Sequence, residues 1–194
     1  RNDELLHQDA FIRDNLAVGD AIVVSMGGND VALRPSISTI FSMLFLTNSP
    51  LSLIKCGSAP GQAHLEHLFG ERVRHVAERI VKKTKPAVVV ICMLYYLDER
   101  PGGSWADPVL SKLGYDKNPA KLQQIIFTLC ERLTRRGLNI DGTRVEICPL
   151  FEALDGSDTS DYCQRVEPSV TGGRKIADRI WKTLYESGAF VSVQ

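Results

Sequence analysis

The chain has 194 residues, with 23 Lys+Arg balanced by 23 Asp+Glu, so its formal net charge at pH 7 is zero. That balance supplies no net field to draw in nucleic acid or anionic lipid, which disfavours a nucleic-acid partner. With 44% hydrophobic and 24% charged residues, the composition is that of a soluble globular protein long enough for one core, a single domain over 1–194.

Residues 3–15 place Leu5, Phe11, Ile12 and Leu16 on one helical stripe. The run 21–26 is apolar and β-branched without polar alternation, which predicts a parallel strand covered on both faces. It ends at Gly27-Gly28-Asn29-Asp30, where glycines mark a turn past the strand's C-terminal end. In open α/β sheets that edge is where ligands bind. A short apolar helix is expected over 36–46, entered from Pro35, and a loop over 48–61.

Residues 62–83 form the clearest helix, with Leu65, Leu68, Phe69, Val73, Val76, Ile80 and Val81 at steps of three and four. Lys82, Lys83 and Lys85 complement its C-terminal dipole before Pro86. A second buried strand spans 87–93. A long connection, 95–118, follows; loops of that length act as lids or binding loops. A helix over 119–136 closes at Gly137, a third strand runs 143–148, and an acidic loop reaches Asp161. The last helix, 171–187, turns Ile176, Ala177, Ile180, Trp181 and Leu184 to one face. The alternation of strands and helices predicts a doubly wound α/β domain whose opening strand and helix lie outside this chain.

Five cysteines, at 56, 92, 130, 148 and 163, form an odd and irregular set without a C-x-x-C pair. This favours reduced thiols and a cytoplasmic location. No signal peptide or transmembrane-length apolar run is present, although the chain opens at Arg1 without Met.

Two blocks carry a family resemblance. Gly27-Gly28-Asn29-Asp30 resembles the G-x-N-D block of the SGNH hydrolases (GDSL esterases and lipases). Glu167-Pro168-Ser169-Val170-Thr171-Gly172-Gly173-Arg174-Lys175-Ile176-Ala177 is similar to that family's last block, in which D-x-x-H-P precedes a glycine and a helix. The resemblance implies a three-layer α/β/α sandwich with a parallel, flavodoxin-like sheet. It also implies ester or acyl hydrolysis without a metal or organic cofactor. Asn29 would donate its amide to an oxyanion hole, which acyl transfer needs because charge develops on the carbonyl oxygen. Gly27 and Gly28 would aim it and Asp30 would brace the turn.

The chain departs from the family pattern in two places. The blocks that supply the nucleophilic serine and a second oxyanion donor are missing, so a companion chain or upstream segment would have to provide them. Ser25 is not the matching position and reads as a buried strand serine. Where the family has D-x-x-H, this chain has Gln164-Arg165-Val166-Glu167. Glu167 is then either an atypical general base, positioned by Arg165 or Gln164 and raised in pKa by burial, or the mark of an inactive binding module.

Other candidates are open to two readings. Tyr95, Tyr96 and Trp105 would wall or cover an acyl group, or simply pack the long loop. Ser169 joins the substrate-binding set by its place in the last block. His64, His67 and His75 share a helix with Glu71 and either line a metal site or form a solvated stripe, the reading favoured in the absence of a further ligand. Asp155, Asp158 and Asp161 lack calcium-loop spacing and read as a turn. The expected partners are a small-molecule ester, the missing segment and, for a sheet short of a strand, a second copy of the chain.

Overall fold

The structure, a computed structural model, describes residues 5–28 and 37–190, without the side chains of Ile37 and Ile40. At its centre is β2 (Val88–Cys92), a strand of five β-branched or small apolar residues, every one buried. It lies between β1 (Ala21–Val24) and β3 (Val145–Cys148) in the order β1-β2-β3, parallel throughout. Val24 pairs with Ile91, and Cys92 with Cys148. The chain is therefore an α/β protein with a parallel sheet.

Seven helices surround the sheet among the described residues. They are α1 (His7–Asn15), α2 (Ile37–Asn48), α3 (Leu51–Lys55), α4, α5 (Asp107–Lys112), α6 (Pro119–Arg136) and α7 (Val170–Glu186). Helix α4 is continuous through three segments: Gln62–Glu66, a π-helical turn at His67–Arg72, and Val73–Ile80. Because strand side chains alternate, β2 feeds two cores. Val89 and Ile91 join Ile22 and Val24 against the apolar stripes of α4 and α6. Val88, Val90 and Cys92 join Cys148 against Ile176, Ile180 and Leu184 of α7.

Several expectations are corrected here. β1 covers only four residues, and its burial alternates: Ile22 and Val24 are buried, but Val23 is 43% exposed. Helix α7 packs on β2 and β3, leaving Val23 without the cover expected of a strand buried on both faces. β1 is an edge strand, with no strand on its outer side among the described residues. In α1, Leu5 and Leu16 at its ends pack on the core while Phe11 and Ile12 are exposed. In α7, Trp181 and Ala177 face outward, one hundred degrees around from the buried row. Helix α4 stops at Ile80 because Val81, fully buried, leaves the helical conformation; Lys83 then pairs with Asp14 of α1 at 2.6 Å.

The loops contain structure too short to show a period. The 48–61 loop holds α3, and the long connection holds α5. Residues 162–168 form an antiparallel hairpin, β4 (Tyr162–Gln164) and β5 (Glu167–Pro168), with Arg165 and Val166 as its turn. Two 3-10 turns, Leu150–Glu152 and Thr159–Asp161, lead into it.

The hairpin is locked to α7 at a glycine. A Cβ on Gly172 would run into the backbone carbonyl of Asp161, whereas a Cβ on Gly173 meets nothing within 4 Å. Gly172→Ala is therefore expected to cost about 2–3 kcal/mol, since backbone cannot yield as a side chain does. Gly173→Ala should be neutral or stabilising by up to about 1 kcal/mol through helix propensity. Thermal unfolding of the two variants measures the contrast.

Candidate functional site

The site is assembled at the C-terminal ends of the parallel strands. Past β1 the backbone turns at Gly27, whose φ of 96° lies in the left-handed region that glycine adopts without strain. A Cβ there would also approach the Phe69 ring of α4 to 2.8 Å. Gly28 lies beside Leu94, the second residue past β2, with 3.7 Å from its would-be Cβ to Leu94 Cδ2. Asn29 and Asp30 lie outside the described residues. Ser25 is exposed and sits beyond β1, not buried within a strand as expected.

From the next residue, Tyr95, contacts lead toward Glu167. The Tyr95 hydroxyl donates to the Val166 carbonyl at 2.7 Å. Burial, and then the nearby Glu167 carboxylate, push the Tyr95 phenol up, because both disfavour a second negative charge. Trp105, from the long loop, donates its indole N–H to Glu167 Oε1 at 3.0 Å. Tyr95, Trp105 and Glu167 are thus linked past the end of β2, whereas Leu94, beside Gly28, packs into the core on the opposite face. Glu167 is exposed, so the apolar enclosure that a carboxylate base requires is not built around it.

Tyr96 goes elsewhere. Its ring stacks on Phe151 at 5.2 Å between centroids, and its carbonyl accepts from the Tyr162 hydroxyl. This follows from extended backbone after β2, which sends neighbouring side chains to opposite faces. Ser169 is the N-cap of α7: its Oγ accepts from Gly172 N at 3.2 Å and donates to the Ser160 carbonyl at 2.7 Å.

Arg165 has a role different from the expected positioning of Glu167. It is 2% exposed and turns into the long loop. Its guanidinium donates to Asp116 at 2.7 Å, to Asp107 at 3.2 Å, and to the carbonyls of Asp98 and Glu99. It also lies 5.6 Å from the centre of the Tyr115 ring. A planar fork of five N–H donors suits four acceptors spread along a folded loop. The acidic residues of 98–116 were the sequence signal for such a partner. Buried Tyr115 donates to the Leu97 carbonyl at 2.6 Å, and burial pushes its phenol up to about 12.

The remaining candidates fall away from this cluster. His67 pairs with Glu71 at 2.6 Å on an exposed face, and His75 is exposed. His64 Nε2 lies 3.0 Å from Thr39 Oγ1 on α2. Asp155 and Asp158 bind the N–H and hydroxyl of Ser157 and Ser160, and Asp161 pairs with Lys175 at 2.7 Å. Among the described residues no three His, Cys, Asp or Glu side chains are grouped to hold a metal. On the α7 face of the sheet the thiols of the register partners Cys92 and Cys148 interact, an arrangement that, with burial, pushes Cys92 above the usual thiol range. Compared with protein-family models, curated proteins and solved structures, the chain matches none.

Two measurements probe how the loop is held. Arg165→Met leaves Asp107 and Asp116 without their cation; each is about a quarter exposed, so water offsets part of the loss. A destabilisation of about 2–4 kcal/mol is expected, together with faster proteolytic cleavage between residues 99 and 117. Raising the pH gives the second. Tyr115 ionises near 10 when unfolded and about 12 when folded, so folding favours its neutral form. Its contribution is complete below pH 10 and lost as pH rises through 12. Tyr115→Phe should begin less stable and lose less across that window in denaturant titrations.

Proposed function

We propose that this domain is an SGNH-type hydrolase acting on a small carboxylic ester or acyl group. The carrying observation is that both family-like blocks lie at the strand ends of a parallel sheet: the Gly27-Gly28 turn follows β1, and Glu167, bonded by Trp105, lies near Tyr95 just past β2. In this reading Gly27 and Gly28 let Asn29 reach the oxyanion, with Asp30 bracing the turn. Tyr95 and Trp105 wall the acyl group, and Glu167 takes the base position with Trp105 orienting it. Tyr96 and Ser169 support the surrounding backbone. The nucleophilic serine would be carried by a strand added to the open edge of β1, from another segment or a companion chain. No metal or organic cofactor enters the reaction.

One observation favours a second reading. The exposure of Glu167 suits a catalytically inactive SGNH-fold module that binds a ligand or protein at the same end of the sheet. The chain, joined to the segment that completes the sheet, is treated with a fluorophosphonate probe and with p-nitrophenyl esters. Labelling and turnover are expected for the hydrolase, with Glu167→Gln lowering kcat by about 10²–10⁴-fold. An unlabelled, inactive protein with its sheet complete would leave the binding module as the reading.

A further inference from the structure

Residues Pro35 to Ile54 form a run of 20 without Asp, Glu, Lys, Arg or His, in a chain of which 24% is charged. The run supplies α2 and α3. Their inner sides are anchored: Met43, Leu46 and Ile54 are buried, and the two helices pack on α4 and α6. Their outer side carries Phe41 (56% exposed), Phe45 (57% exposed), Leu44, Leu51 and Leu53. Phe41, Leu44 and Phe45 fall at i, i+3 and i+4, one face of α2.

Polar side chains at the C-terminal end of α2 bond back to their own helix. Thr47 Oγ1 donates to the Met43 carbonyl at 2.9 Å, Asn48 Nδ2 to that of Leu44 at 2.7 Å, and Ser49 Oγ to that of Phe45 at 2.7 Å. Each spends its donor on its own helix, four residues back. The outer face of α2 therefore carries apolar area whose neighbouring polar side chains already donate within the helix. A protein partner is held at a rim of charged and polar groups. A hydrocarbon phase asks for the opposite, an uncharged surface whose polar groups are internally satisfied. Lys55, at the end of α3, is exposed and is a long cation of the kind that reaches headgroup level from an apolar face.

We propose that the outer face of α2 and α3 docks on a phospholipid surface, with Phe41, Leu44, Phe45, Leu51 and Leu53 below the headgroups. At 12 residues, α2 is about 18 Å long and would lie in the plane of the interface. None of the described helices is long and apolar enough to cross a membrane. Attachment comes from apolar area and needs no net protein charge. The proposal is independent of ester hydrolysis.

Flotation with vesicles of pure phosphatidylcholine tests it. The chain is expected to float with the vesicles, and Phe41→Ser/Phe45→Ser to lower partitioning about tenfold or more. Trp181→Ser, an exposed aromatic on α7, should leave it unchanged. Phe45→Trp, which keeps the face apolar, should be quenched by brominated phosphatidylcholine. Absence of flotation, equal flotation of the double variant, or no quenching at position 45 would overturn the proposal. So would a wild-type dimer, seen by light scattering, that the double variant converts to a non-floating monomer.

Discussion

The constraint on which the fold depends is the two-sided burial of β2. A strand with five apolar side chains projecting alternately above and below a sheet must find cover in both directions. It does so with α4 and α6 on one face and α7 on the other. Backbone hydrogen bonds to β1 and β3 satisfy the peptide groups that burial strips of water. The long connection leaves directly from the end of β2, and the β4–β5 hairpin precedes the helix that covers its other face. The candidate site exists because both segments emerge at that end.

What holds them there is a single buried cation. Arg165, in the hairpin turn, binds two carboxylates and two carbonyls of the long connection, and in doing so folds that connection over the strand ends. Trp105 and Glu167 meet as a consequence. The hydrogen bond between them is exposed and stabilises little by itself, whereas the contacts at Arg165 are desolvated on the guanidinium side. Charge and position thus divide the work: the inward-facing Arg165 builds the loop, and the outward-facing Glu167 meets whatever arrives.

The two ends of the chemistry proposed for this domain differ in how they are finished. On the β1 side the sheet ends in an open edge with Val23 exposed, an arrangement that accepts another strand. The next elements among the described residues are α2 and α3, whose outer faces are largely apolar, with Lys55 at the end of α3. A strand-accepting edge and a lipid-facing pair of helices make different demands. The first needs unpaired peptide groups, the second needs none.

Period and composition made the larger elements legible. The stripe of α4, the span Pro119–Arg136 of α6, the apolar run of β2 and the alternating strand β3 can be read from neighbouring residues alone, because helix and strand periods are local properties. The pairing of Gly27-Gly28 with a strand end was legible for the same reason. Short pieces such as α3, α5 and the β4–β5 hairpin were not, since five or six residues hold too little of a period. Coverage and partnership were decided only in three dimensions. Phe11, Val23 and Trp181 have apolar character in the sequence, yet all three are exposed because nothing among the described residues packs opposite them. Arg165 meets Asp116 across 49 positions and Trp105 meets Glu167 across 62. No local pattern encodes contacts at that separation; they follow from the sheet bringing its strand ends together.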